Sequence, residues 1–226
     1  MARAYIYGDS LLKATMPDEQ FRYHFHLPEV MERYSGRQTE VVNRSKMGAT
    51  VRKGQALLEH DLRRGMQADY ALIAYGGNDS DFDWDAVQAH PQESHLPRTT
   101  LADFKEILLR MIRELRERGV QPVLMTLPPI DAQRYLDFLC REGRSRERIL
   151  DWLGDTQRIY RHQELYSDTV ARLAYETGTP LIGVREMFLN EKRLPKLIAA
   201  DGIHLTMEGY GKLFDTLAGW LRGMVA

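Results

Sequence analysis

The stretch IYGDSLLKAT, residues 6–15, runs as a β-rich hydrophobic segment and then breaks at Gly8, Asp9 and Ser10. The strand signal begins at Ala4, and four more short runs of the same character follow at residues 40–42, 70–75, 122–125 and 180–182. Longer segments with helical spacing separate them. Leu101, Phe104, Ile107, Leu108, Met111, Ile112 and Leu115 recur at intervals of three and four and stop at Gly119. A second pattern carries Ile159, Tyr166, Val170, Leu173 and Ala174 up to Gly178, and a third runs from Thr206 through Leu213, Leu217 and Leu221. Strand alternating with helix from end to end predicts a parallel sheet covered on both faces. The expected architecture is one three-layer α/β/α domain over residues 1–226.

Composition narrows the function class. With 226 residues, 43% of them hydrophobic, the chain can bury a full core. Lysine and arginine total 31 against 32 acidic residues, so a net charge of -1 gives no general attraction to nucleic acid or anionic lipid. A small molecule is the expected partner. Cys140 is the only cysteine, no apolar run is long enough to cross a bilayer, and Met1-Ala2-Arg3-Ala4 leads straight into a strand without a secretion signal. These features together give the expectation of a cytoplasmic protein.

Two segments depart from the strand and helix alternation. Residues 79–98 form a polar connection with Phe82 and Trp84 set among Asp79, Asp81, Asp83 and Asp85, and residues 128–160 read as broken helices carrying Tyr135, Phe138, Trp152 and Tyr160. Both are expected to be insertions that wall a pocket.

Ligands of open parallel sheets bind beyond the carboxyl ends of the strands, so the residues just after each strand carry the most information. These are Gly8-Asp9-Ser10, then 43–48 ending in Gly48, then Gly76-Gly77-Asn78-Asp79, and finally Asp201-Gly202-Ile203-His204 before the last helix. Each alone is ordinary turn chemistry, because glycine permits positive φ and Asp, Asn and Ser bond nearby backbone. Together they supply the parts of acyl transfer: a nucleophile, a base, an orienter for the base and donors for the developing oxyanion. Ser10 is the candidate nucleophile and His204 the base. Asp201, three residues earlier, holds the imidazole in the right tautomer. The Ser10 and Gly48 N–H groups and the Asn78 amide are the candidate oxyanion hole.

In these four blocks the chain resembles the SGNH or GDSL hydrolases, named for Ser, Gly, Asn and His, which match Ser10, Gly48, Asn78 and His204 in the family's order. The resemblance spans nearly the whole chain. It implies a flavodoxin-like α/β/α sandwich around a five-stranded parallel sheet, no metal or organic cofactor, and hydrolysis of esters or thioesters through an acyl-serine. Substrates in such a family range from acetylated sugars to lysophospholipids. Ser10-Leu11-Leu12 stands where many members carry Ser-Leu-Thr, which leaves no hydroxyl at position 12.

Other motifs carry less. The Gly-x-Ser-x-Gly elbow of α/β-hydrolases is absent around Ser10. A calcium loop starting at Asp81 would need Gly where Ala86 stands and Glu where Gln92 stands, so residues 79–85 read as a solvated acidic loop. His24 and His26 lack a third metal ligand at a usable spacing and read as partly buried, while His90, His95 and His162 read as surface residues. The basic run 141–148 reads as a solvated helical face. Trp84, Tyr135 and Trp152 serve equally well as substrate-binding surface or as packing for the inserted segments.

The expected activity is therefore a serine ester hydrolase. Without a membrane-binding amphipathic segment or an extended apolar insertion, short-acyl esters such as O-acetylated carbohydrates or other small molecules are favoured. A lysophospholipase or acyl-thioesterase is the alternative. A non-catalytic carbohydrate- or nucleotide-binding module would more naturally have lost Ser10, Asp201 or His204.

Overall fold

The computed structural model describes residues 2–32 and 39–225. Strand β1 (Ala2–Gly8) is an inner strand of the sheet. After it come a short antiparallel ribbon, β2 (Thr15–Pro17) and β3 (Tyr23–Phe25), and a one-and-a-half-turn helix α1 (Leu27–Glu32). The chain continues through β4 (Thr39–Asn43), α2 (Val51–Arg63), β5 (Tyr70–Ala74), α3 (Trp84–Ala89), α4 (Leu101–Glu117) and β6 (Gln121–Met125). It closes with α5 (Ala132–Cys140), α6 (Arg146–Leu153), α7 (Gln157–Thr177), β7 (Leu181–Ile182), α8 (Val184–Leu189) and α9 (Met207–Val225).

Five strands form one parallel sheet in the order β4-β1-β5-β6-β7. This is the flavodoxin-like 2-1-3-4-5 order, with β1 between β4 on one side and β5 on the other. All five strands expected from the sequence are present. The ribbon β2–β3 was not legible, since three-residue strands, one ending in Pro17, carry no alternation signal.

Pleating sends alternate side chains of the sheet to opposite faces. Tyr7, Ala71, Ile73 and Leu124 join a core with α2, α4 and α7, where Leu58, Phe104, Leu108, Met111 and Tyr166 are fully enclosed. Leu72, Ala74, Val123 and Met125 face the other way, onto α8 and α9 through Phe188, Tyr210, Leu213 and Phe214. Burial on both faces explains why β5 reads as a continuous apolar run. Helix α4 buries the stripe read from its spacing, is capped by the Thr100 side chain, which accepts the Asp103 N–H at 3.2 Å, and ends at Glu117, two residues before Gly119 at φ +71°. A third, smaller cluster of Phe82, Trp84, Tyr135, Leu136 and Ile149 sits where α3, α5 and α6 pack together.

Candidate active site

At the carboxyl end of β1 the chain turns into a single 3-10 turn over Leu11–Lys13, with Ser10 at its N-cap and the Ser10 carbonyl accepting the Lys13 N–H at 3.1 Å. This is the switch point of the sheet, where strand order leaves a crevice. The far end of the sequence closes on it. Asp201 and His204 sit in a tight turn before α9, with Gly202 at φ +80°. A Cβ at Gly202 would lie 2.5 Å from the Asp131 carbonyl oxygen and 2.5 Å from the Tyr135 nitrogen, so only glycine fits against the start of α5. The Gly202 carbonyl in turn accepts the Asp131 N–H at 2.8 Å.

The turn aims its side chains with little freedom. Asp201 Oδ1 accepts the N–H groups of Ile203 at 3.1 Å and His204 at 3.0 Å, which leaves Oδ2 for His204 Nδ1 at 2.6 Å. His204 Nε2 then lies 2.9 Å from Ser10 Oγ. All three residues are buried, Asp201 completely. Burial alone would raise the Asp201 pKa; the His204 hydrogen bond and charge, helped by the two N–H donors, outweigh it and hold the carboxyl below the ordinary aspartate range. A hydroxyl, imidazole and carboxylate in this sequence can pass the Oγ proton to Nε2 while the Nδ1 proton stays on the ring.

The three oxyanion-hole candidates are placed differently. Gly48 occupies an exposed turn with φ +68°, in a loop tied to the β1 end by the Lys46 N–H bonding the Gly8 carbonyl at 3.1 Å. Among the described residues, no acceptor takes the Ser10 or Gly48 N–H, so both remain available to a ligand oxygen. The Asn78 amide is engaged, donating at 3.2 Å to Asp9 Oδ2 and at 3.2 Å to the Ala49 carbonyl.

Asp9 is the group that the sequence reading passed over. It is buried, its Oδ1 accepts the Leu11 N–H at 2.9 Å, and its Oδ2 faces Asn78. Burial pushes its carboxyl up to about 6 against the opposing pull of the Leu11 N–H, the His204 charge and the Asn78 amide. Tyr23 on β3 was missed as well. Its ring centroid lies 5.0 Å from that of His204, and burial together with the Asp201 charge raises its phenol pKa. Nothing in the local sequence around Tyr23 signals this contact.

A cavity of about 90 Å³ opens beside Ser10, Asn78 and His204. Leu12, Met125, Leu127, Trp84 and Tyr135 are among its walls, with contributions from both residues 79–98 and residues 128–160. Trp152 does not line it. It packs edge-on behind Phe82 with centroids 4.9 Å apart, and the Arg158 guanidinium covers its ring, so it supports the wall and is removed from the substrate-binding candidates.

The solvated-acidic-loop reading of 79–85 is also corrected. Asp79 is fully buried and takes the Val51 N–H at 3.0 and 3.1 Å, capping α2 from across the fold because the adjacent Thr50 makes no side-chain cap. Burial raises its carboxyl to about 6. Asp81 accepts from two aromatic donors, Asp83 is exposed and caps α3, and Asp85 is exposed and paired with Arg144 at 2.8 Å. The basic run is likewise more than a solvated face: Arg144 ties to Asp85, and Arg148 bonds the Gln88 and Ala89 carbonyls at the end of α3. His162 is not a surface residue. It is half-buried between Phe82 and Tyr166, and burial lowers its pKa. His24 and His26 pair with Asp18 at 3.0 Å and Glu29 at 2.8 Å, and among the described residues no group of three metal-ligating side chains occurs. Nor is any helix of the described residues long and apolar enough to cross a membrane.

A family model described as GDSL-like Lipase/Acylhydrolase matches residues 6–212. An isoamyl acetate-hydrolyzing esterase of Saccharomyces cerevisiae is 23% identical over 216 residues, covering 94% of this chain and 82% of that protein. Among solved structures, a lipase/acylhydrolase from Enterococcus faecalis superposes with a TM-score of 0.68 at 20% identity, over 99% of this chain and 97% of the other. A catalytic mutant of an acetylxylan esterase from Geobacillus stearothermophilus gives a TM-score of 0.64 at 17% identity, over 96% and 92%. At such identities the structural likeness speaks for the fold.

Proposed function

The chain belongs to the GDSL-like lipase/acylhydrolase family of carboxylic ester hydrolases, and from that premise we propose that it cleaves short-acyl esters through an acyl-Ser10 intermediate. The observation that carries this reading is the continuous contact Ser10 Oγ, His204 and Asp201, at 2.9 and 2.6 Å, at the edge of a small and mostly apolar cavity.

In the proposed reaction Ser10 Oγ attacks the ester carbonyl as His204 Nε2 takes its proton. Asp201 Oδ2 keeps the other ring proton on Nδ1 and stabilises the imidazolium. The Ser10 and Gly48 N–H groups receive the developing oxyanion, and Asn78 joins them by turning one amide hydrogen from the Ala49 carbonyl or Asp9; both of those bonds are long, at 3.2 Å, and are given up at small cost. His204 then returns the proton to the leaving alcohol. Water, deprotonated by the same imidazole, releases the acid.

Cavity size supports the short-acyl choice. At about 90 Å³ it is smaller than the roughly 150 Å³ apolar cavity that accepts benzene, so it suits an acetyl or similarly short group better than a fatty acyl chain. The yeast relative is named for an acetate ester and the bacterial neighbour for acetylated xylan, which point the same way. The experiment is hydrolysis of p-nitrophenyl acetate, butyrate and octanoate by the wild type and Ser10→Ala. The expected result is falling kcat/KM with chain length and no turnover by the variant. An octanoate preference would overturn the short-acyl reading, and normal turnover by Ser10→Ala would overturn the mechanism.

A further inference from the structure

Asp81 stands three residues after Asn78 in the turn that leaves β5, and it places a carboxylate that is only 17% exposed against the cavity wall. Such a group is unfavourable unless its hydrogen bonds are made, and here they are made by the cavity wall. Asp81 Oδ1 accepts both the Trp84 indole N–H and the Tyr135 hydroxyl, each at 2.8 Å, and Oδ2 faces Arg98 at 3.2 Å. The Asp81 carbonyl also takes the Arg98 N–H at 2.8 Å.

One oxygen atom therefore joins two aromatic rings from segments about fifty residues apart, the first on α3 and the second on α5. Two consequences follow for the cavity. Trp84 and Tyr135 have their polar ends turned onto Asp81, so each is anchored at its tip as well as along its ring. Their centroids are held 6.2 Å apart and nearly perpendicular, at 78°. A wall pinned in this way cannot swing back to admit a longer chain.

We propose that Asp81 is a specificity-determining residue that fixes acyl-chain length by clamping Trp84 and Tyr135 as a rigid cavity wall. The inference rests on the esterase reading above but addresses which acyl groups are admitted and leaves the bond-making residues as they are. Asp81 acts through the two rings, so it is a positioning residue with respect to the chemistry. Asn at this position retains an oxygen that accepts both donors, and half-exposed Arg98 can turn to water. Ala retains none and leaves two buried donors unpartnered.

The test is the ratio of kcat/KM for p-nitrophenyl acetate to that for the octanoate, measured for wild type, Asp81→Asn and Asp81→Ala. The clamp predicts that Asp81→Asn stays near the wild-type ratio while the ratio in Asp81→Ala falls by about tenfold or more, the effect of one or more methylenes gaining room. If Asp81→Ala lowers both esters by a common factor, Asp81 only stabilises the fold and the proposal is overturned. Should that variant fail to accumulate as folded protein, Tyr135→Phe keeps the ring and removes one arm of the clamp; a reduced ratio supports the proposal and an unchanged one overturns it. A wild-type preference for octanoate would defeat the short-acyl reading and still leave the comparison among variants able to decide the role of Asp81.

Discussion

Replacing Asp201 by Asn tests the geometry at its most constrained point. The carboxylate takes two backbone N–H groups on Oδ1 and His204 Nδ1 on Oδ2 at 2.6 Å, and the Tyr23 hydroxyl also bonds it. An amide can satisfy the two N–H donors only with its single oxygen, because an NH₂ group in that position would face hydrogen with hydrogen. The NH₂ group then falls opposite Nδ1 and donates to it. The imidazole is forced to carry its proton on Nε2, and a protonated Nε2 cannot take the proton of Ser10 Oγ 2.9 Å away. The same substitution in a serine protease triad costs about 10⁴ in kcat, equivalent to a barrier increase of about 5 kcal/mol. We expect a loss of that size here with KM little changed, because the cavity is not disturbed. Folding should weaken by only about 1.5–3 kcal/mol, the worth of a hydrogen bond to a charged group. Steady-state hydrolysis of p-nitrophenyl acetate, with thermal unfolding to confirm a folded variant, measures both. A folded Asp201→Asn protein with kcat within tenfold of wild type would refute the assignment of His204 as base and Asp201 as its orienter.

Three further outcomes follow from the site. Asn78→Ala should lower kcat by about 10²–10³ while a fluorophosphonate probe still labels the protein to completion, more slowly; unchanged turnover would remove Asn78 from the oxyanion hole. Asp9 carries a folded-state pKa of about 6 against the ordinary 3.8, so the native state holds more protons than the unfolded chain between those values and Asp9 subtracts stability as pH rises through the window. Removing the charge with Asp9→Asn should accordingly raise the stability measured by urea unfolding at pH 8 relative to wild type, by up to about 3 kcal/mol, with little gain at pH 4; an equal gain at both would contradict this. Gly202→Ala drives a Cβ to 2.5 Å from backbone atoms of Asp131 and Tyr135, and should lose several-fold or more in activity together with thermal stability, whereas an active variant of wild-type stability would show that the turn has room to shift.

The sequence was most informative where structure repeats. The sheet strands and the α4, α7 and α9 helices were legible because burial imposes a period; Ser10 and Asn78 were legible because each follows a strand at the end where a parallel sheet opens, and His204 because it stands with Asp201 just before the last helix. What stayed hidden depends on partners distant in the chain. Asp79 and Asp81 are set apart from a solvated acidic loop by contacts that include Val51, Tyr135 and Trp84, and three of those four donor contacts cross the fold. Trp152 and Trp84 have the same chemistry, yet one lines the cavity and the other lies behind Phe82. Tyr23 reaches His204 on a ribbon too short to show periodicity. Burial of a charge and the aim of a ring are properties of the assembled fold, and composition does not encode them.

The central claim is that Ser10 becomes the covalently modified group. Its most direct test is to inactivate the protein with a fluorophosphonate, digest it and locate the adduct by peptide mass spectrometry. The account predicts one adduct, on Ser10, appearing in step with loss of p-nitrophenyl acetate hydrolysis and absent from Ser10→Ala. An adduct on another residue that tracks the loss of activity would contradict it.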